Sequence, residues 1–346
     1  MKAVRYAVGL ILFCSTYLTV HAINAGVEAL LKNADEKTKA WDFDDALATY
    51  DKVLETENAI LSQNKAEFSD YDYKGRALIG KGRAEARQKD FYKALDSMKE
   101  AEAVYDSALA LHPGNFVLKT GKAISATRMG ILDAQISPRE SAFDNLTRGL
   151  KALDLILKEK STDLDLLSLR ARAIQSQANF LVSRKEYSKA IETFKEACGT
   201  SDNVLRLRPE SADDYITKSY SSLMLNTLLV EHEGANVRIF RETLKSAELA
   251  AKYAPDNSEA YRMQGLILTM MAKLQAKKDL GASHSCTNLY REAIVAFDKA
   301  LSLPHCSDDV EALKSRVEVS LHYKPKTVNQ VMNEIKKRLS EPDNNR

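Results

Sequence analysis

The sequence predicts an all-α chain, a solenoid of stacked antiparallel helix hairpins. Three observations predict it. Only 7 Pro and 13 Gly occur in 346 residues, too few turn residues for a sheet protein of this length. A pattern of residues recurs every 48 positions. Each copy holds two stretches with apolar residues at steps of three and four, the spacing that puts them on one helix face. One hairpin cannot bury its own apolar face, so neighbours must stack, and the 45% apolar content is enough for the continuous core this requires.

Residues 1–22 read as a secretory signal peptide. Lys2 and Arg5 form the basic start, Ala7 to Val20 is an apolar run, and Val20-His21-Ala22 ends it on a small residue suited to cleavage. The alternative is an uncleaved anchor, but the run is shorter than the ~20 apolar residues that span a bilayer. Stable membrane insertion is therefore not expected after cleavage. With Lys2 and Arg5 removed, 48 basic residues face 48 acidic ones. That neutrality argues against nucleic acid as the main partner, since phosphate binding needs a basic excess. Cys198, Cys286 and Cys306 remain, too few for a disulfide framework.

The repeat array is expected over residues 23–322. Asp42-Phe43-Asp44-Asp45-Ala46-Leu47 is matched 48 positions on by Asp90-Phe91-Tyr92-Lys93-Ala94-Leu95, and the alanine column continues to Ala142 and Ala190. Other columns are Leu61, Leu109, Leu157 and Leu205; Tyr50, Met98, Leu146 and Phe194; and the small set Gly75, Ala123, Ala171 and Ser219. Before the small set runs a basic one, Lys74, Lys122, Arg170 and Lys218. Leu164, Leu167, Ala171, Ile174 and Ala178 trace a first helix; Tyr187, Ala190, Ile191, Phe194, Ala197 and Val204 trace a second. Pro113, Pro209 and Pro255 fall just after second helices, where the chain must turn. Lys278 to Asn288, with Gly281, Ser283, Ser285 and Thr287, reads as a loop before an ordinary-length helix from Tyr290 to Leu303. About seven hairpins fit between Gly26 and Ser340. Residues 323–346 are a C-terminal helix and polar tail. Thr327 is its N-cap, and Val328, Val331, Met332, Ile335 and Leu339 form an apolar stripe suited to capping the stack or to binding a partner.

Ala101-x3-Tyr105-x2-Ala108-Leu109-x-Leu111-x-Pro113-x-Asn115 resembles the second half of a tetratricopeptide repeat, as do Leu249 to Asn257 and Tyr290 to Leu301. Tyr71-x3-Gly75-x2-Leu78 and Tyr261-x3-Gly265-x2-Leu268 resemble its first half. The likeness covers roughly residues 25 to 322 and implies a right-handed superhelical solenoid. The family's repeat is 34 residues. Here the surplus of roughly 14 reads as about two extra turns on each helix, making helices ~30 Å long. The resemblance also implies a groove lined by first-helix positions one beyond the large and one beyond the small residue. Those are Asp72 and Arg76, Thr120 and Ile124, Ser168 and Arg172, Ile216 and Tyr220, and Arg262 and Leu266. Arg would take carboxylates, Asp72 a basic group, and Tyr220 and the aliphatics apolar anchors; Asp72 and Arg76 could equally pair with each other.

No catalytic constellation stands out. Gly75-Arg76-Ala77-Leu78-Ile79-Gly80-Lys81-Gly82 comes within one residue of a phosphate-binding loop but lacks its Ser or Thr and a preceding strand. Gly75 belongs to the small column, and Gly82 aligns with Gly130 and Ala178. His284, Cys286, His305 and Cys306 could supply zinc ligands, yet they flank a helix whose ends are ~20 Å apart. His232 lacks the second His of a zincin. In the basic column, each stem is expected to cover apolar surface while its charge reaches a neighbouring carboxylate or water. Neither enzyme activity nor a metal or cofactor is expected. The combination points to an exported scaffold or adaptor for a protein or peptide, or else a structural component of a secretion or cell-envelope assembly. Its compartment would be periplasmic or extracellular, or the endoplasmic reticulum lumen if the source is eukaryotic.

Overall fold

The computed structural model describes residues 24–63, 67–278 and 284–322. Every regular element among them is helical. The helices are α1 (residues 24–39), α2 (Phe43–Leu61), α3 (Phe68–Arg87), α4 (Phe91–Leu111), α5 (Phe116–Ile136), α6 (Glu140–Glu159), α7 (Leu164–Ser183), α8 (Tyr187–Leu207), α9 (Ala212–His232), α10 (Phe240–Tyr253), α11 (Ser258–Lys278), α12 (His284–Leu301) and α13 (Asp309–His322). A short 3-10 turn, Val237–Ile239, precedes α10. Helices α2 to α9 run 19 to 21 residues. The surplus over a 34-residue repeat is thus taken up as helix, as the sequence predicts. At 14 residues α10 is shorter, and this is where Pro255 follows Pro209 by fewer positions than the period.

One expectation is corrected. The stretch from Lys278 to Asn288 is not all loop: α11 continues to Lys278 and α12 begins at His284, six residues before Tyr290. Cys286 explains the early start, since it is buried against α11, its Sγ donating to the Ala272 carbonyl at 3.1 Å. The predicted signal peptide and the helix around Val328 to Leu339 lie outside the described residues.

Turn chemistry divides the repeat. Within hairpins, Trp41, Lys89 and Lys185 adopt left-handed backbone angles (φ 63°, 67° and 63°). The following amides of Asp42, Asp90 and Glu186 reach back to the carbonyls of Lys37, Glu85 and Leu181, closing Schellman-type helix ends. The third copy has Pro138 in place of that acidic residue. With no N–H to donate, its turn is extended at Ser137 instead. Between hairpins, Asn115, Asp163 and Ser211 cap α5, α7 and α9 through their side chains, relieving otherwise orphaned helix amides. Pro113, Pro209 and Pro255 stand two residues past the ends of α4, α8 and α10.

The chain forms two compact units, Met1–Thr200 and Ser201–Arg346. In the first, α2, α4 and α6 each pack on the first helices beside them, and α3, α5 and α7 touch in a layer of their own. In the second, α10 packs on α9 and α11, α12 on α11 and α13, and α9 meets α11. The repeat columns are the core. Ala46, Ala94, Ala142 and Ala190 are fully buried, as are Tyr50, Met98, Leu146 and Phe194. The small column receives aromatic rings: a Cβ at Gly75 would strike Tyr105, as would one at Gly121 two residues before the column on α5, and one at Gly265 would strike Phe297. Gly130 lies backbone-to-backbone against Leu146, where an added Cβ would sit 2.6 Å from its Cα.

Candidate partner-binding site

The basic column is absorbed by the fold. Lys122 pairs with Asp106, and Arg170 with Asp154 at 2.7 Å. In the second unit Lys218 pairs with Asp202 at 2.6 Å and Lys314 with Asp298 at 2.7 Å. Each partner lies 16 residues upstream, on the second helix of the preceding hairpin. Asn58 occupies that place for Lys74, which instead approaches Glu100 on α4 at 3.9 Å. Arg170 reaches forward as well, to Glu196 at 2.7 Å. These cations tie consecutive hairpins together.

The face formed by the first helices in unit 1 carries six of the ten candidate positions. Arg76 is not free on it. Its guanidinium forms two 2.8 Å hydrogen bonds to Glu28 of α1, one full period away, and stands 3.9 Å from Asp72. The Arg76 hydrogen bonds hold the Glu28 carboxyl below the usual carboxylate range and, in turn, raise the Arg76 guanidinium. Asp72 is mostly enclosed. Burial lifts its carboxyl to about 6 despite Arg76 and despite the Tyr105 hydroxyl, which donates to it at 3.3 Å. Thr120 and Ser168 spend their hydroxyls on the carbonyls of Phe116 and Leu164 in their own helices. Ile124 is half-buried between two core clusters. Arg172 is exposed and makes no ion pair or side-chain hydrogen bond among the described residues.

In unit 2, Ile216, Tyr220 and Leu266 are half-buried at the edge of the core formed by Leu223, Phe240 and Met263. Arg262 is fully engaged: Asp309 of α13 accepts from its Nε at 3.0 Å and from Nη2 at 2.5 Å, and Glu259 accepts from Nη1 at 2.9 Å. Burial disfavours its charge, but the two carboxylates outweigh this and hold it above the ordinary range. The Arg262 hydrogen bonds likewise depress Asp309.

Sequence reasoning missed the residue with the most unusual surroundings on this face. Arg128 of α5 occupies the place of Gly80 in the repeat before and Ser176 in the repeat after. A long cation between a glycine one period before and a serine one period after was the signal that could have found it. Its Nε is sealed from solvent and has no hydrogen-bond partner. Burial drives its guanidinium well below the usual range, and the neighbouring Arg83 and Arg172 push it further.

Other sequence features take ordinary roles. The phosphate-loop-like stretch is continuous helix in α3, its glycines lying against Tyr105, Tyr50 and Met98. Cys198, Cys286 and Cys306 are free thiols, and the side chain of His284 lies outside the described residues. Unit 1 also holds an open cleft of about 700 Å³, floored by the stacked rings of Phe143 and Phe180 at 4.6 Å.

No protein-family model and no curated protein sequence matches the chain, but solved structures do. Nro1, described as a hypoxic regulator of sterol synthesis and a nuclear import adaptor, with a structure from S. pombe, aligns over 87% of this chain and 95% of its own. The identity is 13% and the TM-score 0.51. A thermophilic TPR protein of Thermus thermophilus covers 64% of this chain and 93% of its own (13% identity, TM-score 0.38). A tetratricopeptide repeat protein of Parabacteroides merdae covers 84% and 98% (15% identity, TM-score 0.34). At these identities the likeness is one of fold.

Proposed function

Because the chain has the tetratricopeptide-repeat fold in a long-helix, 48-residue form, we propose that it is an exported scaffold or adaptor holding a protein or peptide partner on its first-helix faces. One observation carries this reading. Each unit presents side chains of mixed character on its first helices, and the hairpin packing leaves them at least partly open: Ile124 and Arg172 in unit 1, Ile216, Tyr220 and Leu266 in unit 2. Arg and Tyr are residue types enriched at binding hot spots. Nro1, whose fold this chain shares, is described as an adaptor, and a partner-holding role fits that fold. The leader supports export.

Photo-crosslinking in the native compartment tests the reading. A photoreactive residue at 124 or 216 should capture a discrete partner, whereas one at Tyr92 or Val295, exposed on second helices, should not. Cross-links confined to Tyr92 and Val295 would instead favour a structural component of a secretion or envelope assembly. Export is tested by N-terminal sequencing of the protein from its compartment, which should begin after Ala22. An intact Met1 terminus would overturn cleavage.

A further inference from the structure

We propose that the cleft between α6, α7 and α8 is a second contact surface, one that takes an uncharged aromatic side chain, tyrosine above phenylalanine, from a segment of the bound partner. The occupant presupposes the partner of the scaffold reading above, on which this rests. The surface itself is a different one, the hairpin-turn end of unit 1 and not its first-helix face.

The repeat accounts for the rim of this cleft but not for its floor. On the rim, Arg184 just past α7 donates to Glu140 at the start of α6. Gln88 makes the same contact two periods earlier, donating to Asp44 at 3.3 Å. Beneath the rim lie Phe143 and Phe180, their ring centroids 4.6 Å apart and their planes at 23°. The equivalent places in earlier copies hold Leu47 and Ala84, then Leu95 and Leu132. Aliphatic side chains serve the packing in those copies, so the repeat does not itself require two rings here. Phe180 is buried, with Arg184 standing 5.8 Å over its ring. Phe143 is half-buried and supplies the open part of the floor.

The charges around the cleft are already matched. Arg184 pairs with Glu140 and, at 3.2 Å, with Glu186; Lys189 also holds Glu186, at 2.7 Å, and Lys195 holds Glu192 at 2.8 Å. An ionic side chain would find no free counter-charge and would lose its own hydration on entering. Two uncharged groups of the lining are unspent. The Gln177 amide and the Ser188 hydroxyl make no hydrogen bond among the described residues, whereas the Thr193 hydroxyl donates to the Lys189 carbonyl at 2.8 Å. The lining thus complements a neutral, flat body with one polar edge. A third ring can join the Phe pair offset or edge-on, the arrangements aromatic rings prefer, and a phenol hydroxyl would have Gln177 or Ser188 to meet. Pockets for free small molecules enclose most of their ligand. This cleft is open, which suits a side chain whose remaining surface is covered by the segment that carries it.

Saturation-transfer NMR on the purified full chain tests this with ten-residue Gly-Ser peptides carrying one central Tyr, Phe, cyclohexylalanine or Glu. The Tyr peptide should bind best, with its ring protons the most strongly saturated, and the Phe peptide should follow. Cyclohexylalanine, of similar size but with no aromatic face, should bind about fivefold more weakly than Phe, and Glu should not bind. Phe143→Leu gives this copy the residue of the earlier ones; it should weaken the Tyr peptide about fivefold at unchanged Tm. Gln177→Ala combined with Ser188→Ala should bring Tyr down to the affinity of Phe, a readout that holds even if Phe143→Leu disturbs the packing. Tyr92→Ser, exposed on α4, should bind as the wild type does.

Absence of Tyr-peptide binding, or equal binding by wild type and Phe143→Leu, would overturn the proposal. Cyclohexylalanine binding as tightly as Phe would overturn the aromatic assignment, and Glu binding more tightly than Tyr the uncharged one. Free N-acetyltyrosinamide binding as tightly as the Tyr peptide would assign the cleft to a small molecule instead of a partner segment. The scaffold reading fails separately. If no cross-link forms at residue 124 or 216 while the Tyr peptide still depends on Phe143, the cleft stands and the first-helix reading falls. If those cross-links form and the Tyr peptide does not bind, the reverse holds.

Discussion

At the groove position of unit 2, Arg262 is held by Asp309 and Glu259; in unit 1, Arg128 and Arg172 are held by no carboxylate among the described residues. Unit 1 also buries an unmatched acid. Glu57 of α2 is fully buried, and neither carboxylate oxygen has a partner. The same repeat thus uses charge in two ways. A matched pair joins consecutive first helices in each unit, Arg76 with Glu28 and Arg262 with Asp309, but unit 1 also retains charges to which the described residues supply no partner. A matched pair should cost stability when broken, and an unmatched charge should cost little or nothing when removed.

Arg262→Ala therefore carries the largest expected effect. It strands Asp309 and the more enclosed Glu259 carboxyl, whose pKa is already raised by burial. Breaking a fully buried pair costs roughly 3–5 kcal/mol; with Asp309 half exposed, about 2 kcal/mol is expected after screening. Hydrogen exchange in α11 and α13 measures it. Arg172→Ala in unit 1 should change stability by under about 0.5 kcal/mol. Equal losses at the two positions would erase the contrast between the units.

The second effect is the pH dependence of unit 1. Burial and the neighbouring Asp70 raise the Glu57 carboxyl to about 8, so the folded state binds more protons than the unfolded one between the unfolded carboxylate pKa and that value. Stability must then fall as pH rises across this window and level off above it. Asp72, raised to about 6, adds to the slope at the acidic end. In unit 2 the depressed Asp309 works the other way, its contribution being lost as pH falls through its folded pKa. The single Trp of the chain, Trp41, lies in unit 1, so urea unfolding followed by its fluorescence reads this unit. Glu57→Gln should flatten the slope and stabilise unit 1 at pH 8 by about 1–2 kcal/mol. A slope unchanged in Glu57→Gln would assign the titration elsewhere.

These contrasts show which parts of the molecule could be read from the chain. The hairpins were legible because Ala46, Ala94, Ala142 and Ala190 occupy one place where only a methyl fits, and a constraint repeated at fixed spacing is visible without coordinates. The long helices followed from the same period. The start of α12 was not legible: Gly281 and Ser283 signal a turn, and only the burial of Cys286 against α11 shows where the helix begins. The first-helix positions were identifiable, but not which of them are satisfied. Arg76, Arg172 and Arg262 look alike in sequence. Their difference depends on whether a carboxylate falls one period away on an adjacent first helix, as Glu28 does for Arg76 and Asp309 nearly does for Arg262. Arg128 escaped because the groove rule, taken from shorter helices, stops before its turn of α5.

The smallest effect concerns the turns inside hairpins. Unit 1 places Trp41, Lys89 and Lys185 at positive φ, while in unit 2 the turn after α9 places Gly234 there (φ 70°). A side chain in this conformation crowds the following carbonyl, at a cost of about 1 kcal/mol. Glycine avoids that cost but loses more freedom on folding. Lys89 is the informative position. Trp41 packs edge-on against Phe43 and lies under Arg87, so its replacement would remove contacts as well as strain. Lys89→Gly gives unit 1 the glycine turn of unit 2 and leaves the hydrogen bond from Asp90 to Glu85 in place. The strain relieved should exceed the entropy added to the unfolded chain, for a net gain of about 0.5 kcal/mol, measured as a shift in the urea midpoint at unchanged m-value. A loss instead would mean that Lys89 makes contacts worth more than its backbone strain. The lysine turns of unit 1 would then be as well fitted to their hairpins as the glycine turn is to unit 2.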